Sequence, residues 1–591
     1  MCGIHLIWGK QANESAINRM AESSSHRGPD QQATLSPWPE LWLAVNRLKV
    51  IHPGSEADQP FWAPDGKSLL IWNGEIYNFR ELRTQLTQMG IVFTSQSDTE
   101  VLLQSLQLYG EKCLEKLEGT FALIYVDLMQ KSILVARDRN GEKPLYYAHD
   151  KENLYISSEV RAINGLLKSQ LNFNEIQHYF YLRSPSPDHT FFSQIKEWKA
   201  GTYGKIQSDL EVSEHPFTGN SSSKILPSKE RFEKILKNIL TQQFYAEVPV
   251  GVLLSGGCDS SLLYALWYRE TKIALPAYTI ALAQKYRKKY RDADSSIRFA
   301  KHYPIEHHVV EVTQQVFWDN WEEYVKSVDQ PVGDSAGFLT WIIGKEAKRE
   351  VKVLISGAGA DELWGGYQRH KAIDFYLRNK KFITSIAPIL KNVSLAGQVG
   401  KFFNAVQSDS KETFLNFTAL QNLPENLHTE YRPEFDPNLS EYKQLLDFDR
   451  KNYLAQDVLK VQDNALMANG IEGRAPYLDQ KMISLWENVT DDKCLKGKPW
   501  IKECLKELDL SWVVKRPKLG FGLPLKEWFA ERGDFAKRVY NSLKKFEKMY
   551  GEQCPQEMRA MIANPESFSK THFLTLYNLF LLTEWINLRQ L

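Results

Sequence analysis

The chain has 591 residues, 43% of them hydrophobic and 25% charged, with 73 Lys and Arg against 72 Asp and Glu. That length exceeds what a single core supports, so two or more globular domains are expected. The even charge balance excludes nucleic acid or an anionic membrane as the main partner, and no apolar run reaches the ~18 residues that cross a bilayer.

Met1-Cys2-Gly3-Ile4 opens the chain. Once Met1 is trimmed, Cys2 carries its thiol and a free α-amino group on one residue. An α-amino group titrates near pH ~8, so a neutral fraction can take the thiol proton. This is a nucleophile with a built-in base. Cys2 to Trp8 is too short for a signal peptide and carries a histidine. The six cysteines (2, 113, 258, 494, 504, 554) show neither metal-ligand spacing nor the density of a disulfide framework, which suits a reducing cytoplasm.

Up to about residue 210 the pattern is strand-dense. Apolar strands are expected at Ser68 to Trp72, Thr120 to Asp127 and Ser132 to Ala136, giving stacked sheets in an α+β layer architecture. Asn220 to Ser223 and Pro227 read as a linker. Beyond it, Phe232, Ile235, Leu236, Ile239 and Leu240 share one helical face, and Val250 to Leu254 and Val351 to Ile355 read as fully buried strands. Buried strands alternating with helices indicate a parallel sheet, and from Glu412 the chain is mostly helical.

The first buried strand runs into Leu254-Ser255-Gly256-Gly257-Cys258-Asp259-Ser260-Ser261. Glycines let backbone N–H groups face an anion, and a helix expected from near Ser261 adds its positive N-terminus. No Gly-Lys-Ser/Thr closes the loop, so it is not a Walker loop. Asp259 offers a carboxylate to a phosphate-bound Mg²⁺. The second strand runs into Ser356-Gly357-Ala358-Gly359-Ala360-Asp361-Glu362. Two Ser-Gly turns at the ends of parallel strands belong at one sheet edge, where Asp259 and Asp361 are placed to share Mg²⁺ on a pyrophosphate.

With both loops in view, the chain resembles the glutamine-hydrolysing asparagine synthetase family over nearly its full length. The resemblance implies an α+β N-terminal-nucleophile hydrolase with stacked antiparallel sheets (αββα). An α/β PP-loop (ATP-pyrophosphatase) synthetase domain, with a parallel sheet and a mostly helical C-terminal part, follows it. The implied domains are a class II glutamine amidotransferase over 2–215, a linker at 216–228 and a synthetase over 229–591. His26-Arg27-Gly28-Pro29-Asp30 matches an early family loop. Asn46-Arg47-Leu48 matches a segment whose arginine grips the glutamine α-carboxylate as a bidentate pair, with Leu48 and Ile51 beside it. Asn73-Gly74-Glu75-Ile76-Tyr77-Asn78 matches the oxyanion-hole segment, in which Asn73 and Gly74 stabilise the tetrahedral intermediate and Glu75 adjoins the glutamine. Asp98, in Ser97-Asp98-Thr99-Glu100, matches the residue that holds the α-ammonium.

In the synthetase half the implied ATP contacts are Leu254, Ser255, Gly256, Gly257, Asp259, Ser260, Ile280, Ser356 and Gly357, with Asp259 and Asp361 on the metal. Asp463-Asn464 to Asp479 matches a segment near the aspartate pocket, and Lys518, in Lys515 to Gly522, would neutralise phosphate charge in the transition state. The implied reaction consumes ATP, aspartate and glutamine and yields AMP, pyrophosphate, asparagine and glutamate. The family's homodimers have no locatable patch in this sequence.

The chain departs from the pattern at Ala358, where well-known members carry the glutamate that accepts a proton from attacking ammonia. Glu362, Asp334 and Asp329 are the replacements suggested by proximity in sequence. The alternatives are an acceptor other than aspartate (a sugar, peptide or antibiotic precursor), slow or absent nitrogen transfer, or a non-catalytic sensor or assembly subunit. Cys258 reads as a small buried hydrophobe, and His307-His308 as structural.

Overall fold

The computed structural model describes residues 2–217, 226–391, 397–516 and 520–591. The expected linker at 216–228 falls largely outside them, as do Pro517, Lys518 and Leu519.

The N-terminal half packs two six-stranded sheets face to face. One contains β1 (Cys2–Gly9), β2 (Gln31–Trp38), β3 (Leu41–Arg47), β8 (Tyr146–His149), β9 (Asn153–Ser157) and β10 (Lys196–Glu197). The other contains β4 (Phe61–Trp62), β5 (Ser68–Ile76), β6 (Gly119–Asp127), β7 (Ser132–Arg137), β11 (Thr202–Ile206) and β12 (His215–Pro216). Their orders are β10-β8-β9-β1-β3-β2 and β12-β11-β7-β6-β5-β4, with antiparallel pairing throughout.

Strand periodicity of two decides what faces what. Cys2, Ile4, Leu6 and Trp8 of β1 and Leu69 and Ile71 of β5 fill the layer between the sheets. The alternate residues Leu70 and Trp72 pack outward with Val101, Leu102 and Leu106 of the helix Asp98–Tyr109. On the far side, Ile7 and Ala44 meet Ile17 and Met20 of the helix Glu14–Ser23. The result is the expected αββα layering. The first strand after Ser68 runs through Asn73-Gly74 to Ile76, so this dipeptide lies inside a strand and not in a hairpin turn.

The C-terminal half holds a five-stranded parallel sheet of β13 (Val250–Leu253), β14 (Ala277–Leu282), β15 (His307–Val312), β16 (Val353–Ile355) and β17 (Glu472–Arg474). The order β15-β14-β13-β16-β17 reverses direction at β13. In such sheets the ligand crevice opens at the carboxyl ends of the strands flanking the reversal. Here those are β13 and β16, the strands that lead into Ser255 and Ser356. After β16 the described chain is mostly helical apart from β17, and the helix Phe573–Arg589 buries Leu576, Tyr577, Phe580 and Leu581 as core.

Among the described residues, no helix is long and apolar enough to cross a membrane.

Candidate active sites and their relatives

Cys2 sits at the edge of the inter-sheet layer and is 4% exposed. The alternation that points Leu69 and Ile71 inward also points Asn73 inward, toward β1. Asn73 Oδ1 accepts a hydrogen bond from the Cys2 nitrogen at 2.8 Å, and Asn73 Nδ2 is buried without a hydrogen-bond partner among the described residues. An amide that orients the Cys2 nitrogen with one end and leaves a buried donor at the other is equipped to meet an oxyanion beside the thiol. Gly74 runs against the β6 backbone at Thr120, where an added Cβ has no room. Gln59 Nε2 lies 3.9 Å from Cys2 Sγ, a contact that sequence reasoning missed because Gln59 carries no motif.

Arg47 faces Cys2 across the β1–β3 pair. Its guanidinium is 2.7 Å from Asp58 Oδ1 and also donates to the carbonyls of Ile51 at 3.3 Å and His52 at 3.0 Å. The arginine therefore folds the 51–58 loop around itself, which places Ile51 in this wall. Leu48, next along the chain, is buried in the core. Asp98 is the first residue of its helix, which Ser97 caps by accepting from the Glu100 nitrogen. Burial pushes the Asp98 carboxyl up to about 6, opposed by a hydrogen bond from the Ile76 nitrogen and by the charge of Arg47. The Arg47 guanidinium and the Asp98 carboxyl are close enough to influence each other and carry the charges that would suit the two ends of a zwitterion.

Glu75 turns away from this site toward the other half. Arg474, fully buried on β17, donates to Glu75 Oε2, to Glu472 Oε1 at 2.7 Å and to the carbonyls of Gln243 and Tyr245. Two buried carboxylates share one guanidinium. Burial pushes Glu75 well up, while Arg474 holds Glu472 below the usual range against its own burial. A second stitch runs from Cys2 itself. Arg27 Nε donates to the Cys2 carbonyl at 3.3 Å, and the Arg27 fork binds both oxygens of Asp463 at 2.8 and 3.0 Å.

In the second half, β13 turns sharply at Gly256, whose φ of +64° and contact with the Ser295–Ser296 backbone exclude a side chain. The following helix begins at Cys258, three residues earlier than expected, because the left-handed turn at Gly256 already redirects the chain. Asp259 is consequently on the first helical turn. Ser255 and Ser260 hydroxyls lie 3.1 Å apart and brace the loop. The Leu254 carbonyl accepts from Thr279 Oγ1 at 2.5 Å, which ties the loop to β14 next to Ile280. Cys258 is half-buried with its thiol pushed up to about 11 by burial, as suits a packing residue.

Asp259 and Asp361 do converge. Lys498 Nζ lies 2.6 Å from a carboxylate oxygen of each. Lys498 has a left-handed backbone (φ 63°) and is held by a hydrogen bond from its nitrogen to the Trp364 carbonyl. The two aspartates keep its ammonium charged against burial. This lysine, outside every motif, was not found from the sequence. Two carboxylates aimed at one cationic position have the donor chemistry for Mg²⁺, so the residues present fit that ion. Arg516 reaches the first loop, donating to the Gly256 carbonyl at 2.6 Å, so the late basic segment does border it. Lys518 lies outside the described residues.

Of the acids considered beside Ala358, Asp329 is spent elsewhere. It accepts from the Val160 and Arg161 nitrogens at 2.8 and 2.9 Å, joining the two halves. Glu362 accepts from Tyr367 Oη at 2.5 Å. Its charge, with that of Asp334, adds to the burial that pushes the Asp457 carboxyl well up, and burial also pushes Asp334 up. His307 bonds Thr279 at 2.9 Å and His308 stacks on Tyr278 at 4.8 Å, both structural contacts within the sheet.

A glutaminase-like thiol site and a two-loop nucleotide crevice thus occupy one chain. Residues 1–218 match the glutamine amidotransferase domain family and residues 231–586 match the asparagine synthase family. The chain belongs to the asparagine synthase family. As a member it is an ATP-dependent ligase that takes nitrogen from glutamine. Among curated relatives, asparagine synthetase [glutamine-hydrolyzing] 1 of Bacillus subtilis (strain 168) is 25% identical over 571 residues, covering 89% of this chain and 88% of that protein. Asparagine synthetase [glutamine-hydrolyzing] 3 of the same organism is 26% identical, covering 84% and 83%. The enzyme of Zea mays is 30% identical over 394 residues, covering 63% and 61%.

Proposed function

We propose that this synthase-family enzyme converts aspartate to asparagine, with Cys2 freeing nitrogen from glutamine and the β13/β16 crevice adenylating the acceptor. The observation that carries the reading is the Cys2–Asn73 pair, joined through Arg27 and Arg474 to the nucleotide loops of the same chain.

In the first site the Cys2 α-amino group, freed by loss of Met1 and oriented by Asn73 Oδ1, takes the thiol proton. The thiolate attacks the glutamine carboxamide, and Asn73 Nδ2 with the Gly74 nitrogen meets the oxyanion. Arg47 and Asp98 clamp the glutamine α-carboxylate and α-ammonium. Ammonia leaves, and water releases glutamate from the thioester. In the second site the loops Ser255–Ser261 and Ser356–Gly357 hold ATP, with Leu254 and Ile280 toward the base. Mg²⁺, when bound, would be held by Asp259 and Asp361 and would screen phosphate charge. Lys498 holds these two carboxylates in register, and Lys518 adds charge screening. The acceptor carboxylate attacks the α-phosphorus and expels pyrophosphate, and ammonia then displaces AMP from the acyl-adenylate. Ala358 cannot accept the ammonia proton, so the acidic group of Glu362, Asp334 and Asp457 supplies the carboxylate.

Ala358 favours one second reading, amidation of a carboxylate other than aspartate by the same chemistry. Incubation of the enzyme with glutamine, ATP, Mg²⁺ and a panel of carboxylates, followed by mass spectrometry, separates the two. Asparagine with AMP and pyrophosphate is expected. Amidation of another acid alone overturns the acceptor assignment, and ADP in place of AMP overturns the adenylate. Cys2→Ala should abolish glutamine-driven amide formation and keep the ammonia-driven reaction. Equal loss of both would contradict two separable sites.

A further inference from the structure

Gln59 is buried, and its backbone and one end of its side chain are held from two sides. β4 pairs with β5 as Phe61 with Leu70 and Trp62 with Leu69, which puts Gln59 in register opposite Trp72. The ladder does not continue by backbone there. The Trp72 nitrogen donates instead to Gln59 Oε1 at 2.7 Å. The Gln59 backbone is turned toward the first sheet, where the Gln31 side chain on β2 accepts from its nitrogen at 3.2 Å and donates to its carbonyl at 2.5 Å. Gln31 and Cys2 both stand opposite Arg47, one on each side of β3. Gln59 therefore bridges the two sheets beside the thiol.

These bonds decide which end of the carboxamide meets the sulfur. A backbone N–H is met by the amide oxygen, so the amide nitrogen takes the remaining direction. That direction ends at Cys2 Sγ, 3.9 Å from Gln59 Nε2. Trp72 immediately precedes Asn73, so one strand carries both the residue that aims this donor and the residue that orients the Cys2 nitrogen.

Resting on the glutaminase reading above, we propose that Gln59 is a further catalytic residue of the thiol site, donating from Nε2 to Cys2 Sγ whenever the sulfur carries negative charge. That happens twice in a turnover. First the thiol proton passes to the α-amino group, and the thiolate forms the S–C bond to the carboxamide carbon as ammonia departs. Later water attacks the thioester, the S–C bond breaks, and its electron pair returns to sulfur. In the thioester between these steps the sulfur is neutral and the donor gains little. A hydrogen bond to an ionised partner is the stronger kind, so it favours sulfur as nucleophile and as leaving group. A donor also dulls a thiolate, but nucleophilicity falls against basicity with a slope of only ~0.4–0.5, so a mostly protonated thiol gains reactivity overall. Asn73 Nδ2 serves the substrate oxygen while Gln59 Nε2 serves the sulfur.

The test uses the full chain with Met1 removed. It reads the rate at which iodoacetamide alkylates Cys2 near neutral pH, by mass spectrometry of the N-terminal peptide, with steady-state glutamate release beside it. Gln59→Met has similar length and no donor. Gln59→Glu keeps an acceptor for the Trp72 nitrogen and turns an oxygen toward the sulfur. Each should slow Cys2 alkylation and glutaminase kcat by about tenfold or more. Glutamine KM should stay within about threefold and ammonia-driven amide formation within about twofold. A glutamine that only braced the two sheets would leave alkylation unchanged or, once removed, speed it by loosening the site. Alkylation and kcat within about twofold of the wild type in the Met variant overturn the proposal, as does a loss confined to KM. The Glu variant decides by the same limits if the Met variant loses the cooperative melting of the wild type. If the wild type releases no glutamate from glutamine, the glutaminase reading falls, whereas the alkylation comparison still decides whether Gln59 acts on the sulfur.

Discussion

Asn73→Ala isolates the oxyanion argument, because the two ends of this amide do different things. The oxygen end orients the Cys2 nitrogen at 2.8 Å in the resting enzyme. The nitrogen end is buried with no hydrogen-bond partner among the described residues, so it makes no ground-state bond with them that the substitution could remove. Losing one buried oxyanion donor costs about 3 kcal/mol of transition-state stabilisation, or about 10²-fold in kcat. Losing the orienting acceptor removes one ordinary hydrogen bond, a further ~1 kcal/mol. Glutamine KM should change by less than about threefold, since Arg47 and Asp98 remain in place. The assay is steady-state glutamate release, with ammonia-driven AMP formation as an internal control that should not move. A kcat loss below tenfold, or a loss confined to KM, would refute the assignment of Nδ2 to the oxyanion.

Asp98 predicts a pH step. Its folded carboxyl is raised from 3.8 to about 6, so the folded state favours the protonated form. The associated stability is full at low pH and is lost as pH rises through about 6, a cost of about 3 kcal/mol at ~1.4 kcal/mol per unit. Activity runs the other way, because only the ionised form binds an ammonium, so kcat/KM for glutamine should rise through about pH 6. Asp98→Asn should be more stable near neutral pH, bind glutamine worse and lose the step. A step that persists in the variant's pH–rate profile would assign it to another group. Lys498→Met leaves Asp259 and Asp361 without their shared cation and should destabilise the fold by about 3–5 kcal/mol. Mg²⁺ should raise the thermal midpoint of this variant more than that of the wild type, and an equal or smaller rise would argue against a cation position between the two aspartates.

Much of the site was legible because its parts are local. A cysteine after Met1, a strand ending in Ser-Gly-Gly and a second ending in Ser-Gly each state their chemistry within a few residues. The pairing of the two Ser-Gly turns followed from a general property of parallel sheets, and the order β14-β13-β16 puts them side by side. Proximity in sequence misled where it stood in for proximity in space. Asp329 is 29 residues before Ala358, as the numbering shows, yet it caps the Val160–Leu167 helix of the other half. Lys498, which sits between both loop aspartates, is 137 residues from Asp361 in the numbering and has no motif around it.

The amino-acid order alone therefore settled the kinds of elements, the two loops and the family, because periodicity and turn chemistry act over neighbouring residues. Folding in three dimensions decided that Asn73 serves Cys2 and that one ammonium bridges Asp259 and Asp361. It also decided that Glu75 and Glu472 share the buried Arg474 guanidinium. Each of these is a charge or hydrogen-bond balance among groups tens to hundreds of residues apart. Their energies depend on distance and burial, which exist only once the chain has closed on itself.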